Sequence, residues 1–191
     1  MFMQTQAEET SLIARAINDG SSFAKLYNDY YPRVYNYVHY RIDDYHTAND
    51  LTSQIFEKLF SRLKSYAPEK SIFSAWLFSI ARNTITDYYR SQARMRTRFA
   101  SIETSSELID AEPNPADIAA LNETQQHLRK ALASLNKRER DIIALKFWSG
   151  ISNRDIAKLI GISESNIGVI LFRSMRRLRV ILERQGFSIY G

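Results

Sequence analysis

Arg82, Asn83, Thr86, Tyr89 and Arg90 recur every three or four residues in one stretch, and Arg94, Arg96 and Arg98 follow directly. At helical spacing they share one surface, with Trp76, Leu77, Ile80, Ala81 and Thr84 on a packing side. Aromatic rings stack on unpaired bases for about 1–3 kcal/mol each and guanidinium groups neutralise a phosphate backbone, so this surface suits a separated nucleic-acid strand. Tyr66, Phe73, Tyr88 and Tyr89 are the candidate stackers. A second set, Ser163, Ser165, Asn166, Val169, Phe172, Arg173, Arg176 and Arg177, lies broadly on one helix face opposite Ile167, Leu171, Ser174, Leu178, Ile181 and Leu182. Short polar groups at its start suit base edges and the arginines suit phosphates. Arg154, just upstream, joins this second set.

Catalytic chemistry finds less support. His39, His46 and His127 are scattered, and no glycine-rich phosphate loop occurs. Asp43-Asp44 reads as a favourable pair at a helix N-terminus rather than as metal ligands. No catalytic residue, metal ligand or cofactor is expected.

The elements that hold these groups are helical throughout. Apolar periodicity predicts helices over 9–18, 21–41, 46–66 and 72–94, with Pro32 starting, kinking or interrupting the second. A loop runs from Ser65 to Ser71. Residues 97–116 mix Ser, Thr and Pro with acidic side chains and read as a linker. Helices resume over 116–134, 137–148, 152–160 and 163–184. The last two form a helix-turn-helix: Ser152 caps the first with Asp155 three residues on, Ala157 is small where the helices cross, Gly161 takes positive φ, Ile162 fills the gap and Ser163 caps the second. The expected fold class is all-α: two small helical domains, residues 1–96 and 117–191, joined by a flexible linker.

Charge supports a polyanionic partner. The 191 residues carry a formal +5, but residues 99–128 hold six acidic and no basic groups, whereas residues 129–191 hold 13 basic and five acidic. The C-terminal third is therefore the electrostatic footprint. The chain has no cysteine, as suits a reducing compartment. Met1–Glu9 has neither a basic region nor an apolar run, and no stretch of 18 apolar residues occurs, so a cytoplasmic protein without membrane insertion is expected.

The residues Leu135, Arg138, Leu145, Phe147, Gly150, Ser152, Asp155-Ile156-Ala157, Leu159, Gly161-Ile162-Ser163 and Arg173 resemble region 4 of extracytoplasmic-function sigma factors, a branch of the sigma-70 family. Trp76 through Arg90 resembles regions 2.3–2.4 almost position for position, and Asn49 through Phe60 resembles region 2.2. The resemblance implies a subunit that joins core RNA polymerase through its β and β′ subunits, opens promoter DNA at the minus-ten element and reads the minus-thirty-five element. It assigns minus-ten contacts to Lys70, Ser71, Phe73, Arg82, Asn83, Thr86, Tyr89, Arg90 and Arg94, with Asn83 and the Pro68–Phe73 loop forming a pocket for a flipped base. It assigns the minus-thirty-five element to Arg154, Ser163, Ser165, Asn166, Val169, Phe172, Arg173, Arg176 and Arg177. Clamp docking falls to Asp50, Leu51, Gln54, Ile55 and Phe56, and an anti-sigma factor is an expected partner. In the family the linker threads polymerase channels, so the acidic stretch either mimics nucleic acid there or serves as a solvated tether.

The chain departs from the pattern at Gly168-Val169-Ile170, where relatives carry basic and hydroxyl side chains. These residues cannot make bidentate bonds to bases. Either the backbone approaches DNA closely at Gly168, or recognition rests on Asn166, Phe172, Arg173, phosphate contacts and DNA shape. The rival reading is a ligand- or partner-regulated helix-turn-helix regulator that does not join polymerase; it leaves the basic, aromatic 76–98 surface unexplained.

Overall fold

The computed structural model describes residues 6–42, 44–100 and 131–186, and among these every regular element is helical. Four helices form the N-terminal unit: α1 (Gln6–Ala16), α2 (Gly20–Arg41), α3 (Tyr45–Arg62) and α4 (Phe73–Ala100). After residues 131–133, which end a helical turn, come α5 (Lys137–Ala144), a wider π turn over Leu145–Ser149, α6 (Asn153–Ile160) and α7 (Glu164–Arg184). Most of the linker and of the helix expected over 116–134 lies outside the described residues.

Local chemistry sets the helix starts. Asp19 accepts from the amides of Ser21 and Ser22 and caps α2. The Ser22 hydroxyl foremost, then Ser21, holds its carboxyl down at about 2, so the capping charge is fully present above the ordinary carboxylate range and is lost only as pH falls through about 2. Asp44 caps α3 by accepting from the Thr47 amide at 2.6 Å. A reciprocal box opens α5: the Glu139 amide donates to Asn136 and the Asn136 amide donates to Glu139, both at 2.9 Å. Pro32 neither starts nor ends α2; it sits inside the helix on its exposed face.

Two boundaries differ from the periodicity. The third helix closes at Arg62 in a 3₁₀ turn over Leu63–Ser65 rather than at residue 66. The fourth continues to Ala100, past the expected end at 94, because nothing in Ser91–Arg98 interrupts a helix and charged side chains suit one surrounded by water.

The packing adds what periodicity does not address. The two domains were expected to be joined by a flexible linker with no expectation of how they meet; one hydrophobic cluster contains both Val34, Tyr37 and Phe78 of the N-terminal unit and Ile142, Leu145, Ile156 and Ile167 of the C-terminal unit. A second, smaller cluster of Ala131, Leu135, Ile143 and Leu178 ties α5 to α7. α5, the π turn and α6 therefore lie against α2 and α4.

Candidate nucleic-acid interface

α4 is the scaffold of the first surface. Leu77, Phe78, Ala81 and Ile85 are buried on one side, which turns Asn83, Asp87, Arg90 and Arg94 outward. Thr86 and Arg82 are half-buried at the border. Lys58 of α3 donates to the Thr84 hydroxyl at 3.0 Å and fixes the two helices side by side. Between them runs a groove of about 500 Å³ lined by Lys58, Arg62, Arg82, Asn83, Thr86 and Arg90 among others. Four cations around a polar trough attract a phosphate backbone.

Lys58 and Arg62 were missed in the sequence. Their four-residue spacing places them on one face of α3, but only the packing of α3 on α4 shows that this face looks into the groove of Asn83. The expected pocket of Asn83 with the 68–73 loop is likewise not what lines that groove. Ten residues of helix separate Phe73 from Asn83, about 15 Å of rise, so the loop lies at the far end of the surface.

The aromatics divide sharply. Phe73 is 1% exposed and packs edge-on against Tyr30 and Tyr66, so it is core rather than an open stacking platform. Tyr66 is half-buried against Phe73 and Trp76, and its hydroxyl donates to the Ser71 carbonyl at 3.0 Å, which leaves it supporting the loop. Tyr88 is half-buried beside Tyr89, and Tyr89 alone of the four is exposed. Lys70 is exposed and Ser71 half-buried on the loop.

α3 presents a similar correction. Leu51, Ile55 and Phe56 are all 5% exposed or less and build the core, so a partner meeting this helix meets Asp50 and Gln54, which are exposed.

The second surface is the outer face of α7. Gly161, at φ 78°, ends α6, and its amide donates to the Ala157 carbonyl at 2.8 Å. Ser152 caps α6 through the Asp155 amide, and Ser163 caps α7 through the Asn166 amide. Ile167, Ser174 and Leu178 are buried beneath, while Ser165, Asn166, Val169, Phe172, Arg173 and Arg176 all face out. Phe172 is 69% exposed, an unusual position for a large ring, and suits apolar contact with a base methyl group or sugar. Arg177 is held by Glu139 at 3.0 Å, and Arg154 stands 3.7 Å from Glu164.

The two helix-turn-helix glycines have opposite expected effects. Gly161→Ala forces a side chain into left-handed backbone and lowers stability by about 1–2 kcal/mol, whereas a Cβ on Gly168 meets nothing within 4 Å and alanine there raises stability by up to about 1 kcal/mol. Urea unfolding of both variants measures the contrast. A more stable Gly168→Ala protein that binds upstream duplex less well identifies close backbone approach; equal binding shifts recognition to Asn166, Phe172 and Arg173.

Residues 26–95 match the family Sigma-70 region 2, and residues 125–178 match Sigma-70, region 4. The chain belongs to the sigma-70 family. Among this sigma factor's relatives, the ECF RNA polymerase sigma factor BldN of Streptomyces coelicolor is 31% identical over 92% of this chain and 66% of its own length. The ECF RNA polymerase sigma factor SigX of Bacillus subtilis is 26% identical over 85% of this chain and 84% of its own. Among solved structures, the sigma factor RpoE from Bartonella quintana, in complex with the anti-sigma factor NepR, aligns with a TM-score of 0.63 at 26% identity, over 84% of this chain and 96% of that one. The outward faces of α4 and α7 thus lie in regions 2 and 4 of a sigma factor, and they occur in the family's order. Among the described residues no helix is long and apolar enough to cross a membrane.

Proposed function

We propose that this sigma factor joins core RNA polymerase in the cytoplasm, contacts its β and β′ subunits, and directs it to promoters, with the bond-making chemistry left to the polymerase. In this reading residues 1–96 dock on the clamp through Asp50 and Gln54 and hold the opened minus-ten strand along α4. Asn83, Thr86, Tyr89, Arg90 and Arg94 meet that strand, and Lys58 and Arg62 extend the same basic track. Residues 117–191 hold the minus-thirty-five element on α7, and residues 97–116 span the two.

The observation that carries this reading is the groove beside Asn83. Asn83, Arg82 and Arg90 stand on α4, whose inner side is committed to the core, and Lys58 and Arg62 face them from α3, so the trough between the two helices offers a basic track to a strand. A conventional regulator has no use for such a surface in addition to a helix-turn-helix. By likeness to the Bartonella complex, an anti-sigma factor is a further partner.

Mixing the purified protein with core polymerase tests the proposal. A stable complex that starts transcription from a cognate promoter is the expected result. Binding to duplex DNA alone, with no complex and no initiation, would overturn it in favour of the regulator.

A further inference from the structure

Asp141 of α5 is a carboxylate whose side chain is 8% exposed, and every donor on it comes from the other unit. The Tyr37 hydroxyl donates to Oδ1 at 2.9 Å, Arg41 donates to the same oxygen, and the Arg82 Nε donates to Oδ2 at 2.9 Å. Arg41 is itself only 11% exposed and donates to the Tyr37 hydroxyl at 2.9 Å. Arg33, Tyr37 and Arg41 recur every four residues, so they form one stripe along α2. The first of them binds the C-terminal unit too, donating to the carbonyls of Trp148 and Ser149 where the π turn ends.

This interface takes residues away from the strand-binding surface. Arg82 is committed to Asp141. Tyr89 lies under the Lys137 ammonium, 5.6 Å from its ring, and donates its hydroxyl to the Arg41 carbonyl at 2.6 Å. Two of the residues assigned to the minus-ten strand are therefore engaged by α5, Arg82 through Asp141 and the Tyr89 ring through Lys137.

We propose that Asp141 is an intramolecular latch: it holds regions 2 and 4 together in the free chain and keeps Arg82 and Tyr89 from single-stranded DNA until the two regions separate. The contact is well suited to switching. A buried carboxylate ringed by two guanidinium groups and a phenol keeps these partners only while the units touch, and all three belong to the other unit. Loss of the carboxylate charge leaves the largely buried Arg41 without its counter-ion, which favours opening. Either unit keeps its own helices when they part, because the caps of α2, α3, α5, α6 and α7 are all local.

The DNA part of this proposal rests on the minus-ten reading above, so the test reads closure and DNA binding separately. Full-length protein and its Asp141→Asn variant are compared by small-angle scattering and by anisotropy of a short labelled single-stranded oligonucleotide. The variant keeps the shape of the side chain and removes its charge. A compact chain of this length has a radius of gyration of about 16 Å, and the variant is expected to exceed the parent by on the order of 3 Å. A latch closed nine-tenths of the time weakens apparent affinity tenfold, so the variant is expected to bind the oligonucleotide about tenfold more tightly. Arg41→Gln opens the same contact from the other unit and guards against a local defect in α5. Unchanged dimensions in both variants would overturn the latch. Opening with parent and variants binding the oligonucleotide equally well would overturn the masking of Arg82 and Tyr89. If neither the parent nor the variants bind DNA but the variants still open, the latch stands and the minus-ten reading fails.

Discussion

Replacing Asn83 with alanine is expected to lower promoter opening roughly five- to 150-fold while leaving assembly with core polymerase unchanged. The range follows from the about 1–3 kcal/mol of discrimination that one well-placed amide gives to a base edge. Asn83 is exposed and sits at the groove wall, one residue from the packing side of α4, so alanine removes donor and acceptor without disturbing the core. The clamp docking proposed above falls on Asp50 and Gln54 of α3, on a different helix. Co-elution with core polymerase measures the first property and abortive transcript synthesis on several promoters measures the second. Wild-type initiation on all of them would remove Asn83 from the site.

Phe78→Ala is expected to destabilise the whole protein by about 3–5 kcal/mol, a large share of the roughly 5–15 kcal/mol that holds a native chain together. Phe78 is fully buried and stands edge-on to Tyr37 with ring centroids 5.3 Å apart. Tyr37 in turn carries one of the bonds to Asp141, and burial raises its phenol well above the usual range, which keeps it a donor throughout physiological pH. The cavity therefore opens beneath the contact between regions 2 and 4, and both should loosen together. Chemical unfolding followed by circular dichroism gives the magnitude, with Phe172→Ala as the comparison, because that ring is 69% exposed and its loss should change stability little. A loss of under about 1 kcal/mol at Phe78 would show that the shared core is not a single cooperative unit.

The helices, the caps at Asp44, Ser152 and Ser163 and the helix-turn-helix were legible in the residues because each is a local matter. Asp44, Ser152 and Ser163 each bond an amide three positions away, and Gly161 needs its left-handed backbone only to end α6. The outward set on α7 followed from angle alone, since a single helix with one buried stripe leaves little choice for the rest. The family pattern over Trp76–Arg90 likewise required only the order of residues.

What spacing could not reveal was which of two apolar or aromatic neighbours the core would claim. Leu51, Ile55 and Phe56 occupy the same stretch of α3 as Asp50 and Gln54, and only contact with α2 and α4 decides that the three are buried and the two remain available. Phe73 and Tyr89 both read as stackers, yet one fills the centre of the N-terminal unit and the other stays at the surface, bonded to the Arg41 carbonyl beneath Lys137. Lys58 and Arg62 come to line the groove of Asn83 only because α3 packs on α4, and Asp141 gained three partners that lie 59 to 104 positions away in the chain. Helical periodicity constrains residues within a turn or two, whereas burial and charge pairing depend on what another helix brings; the elements of this sigma factor are thus determined by sequence, and the closed contact between its two halves by tertiary structure.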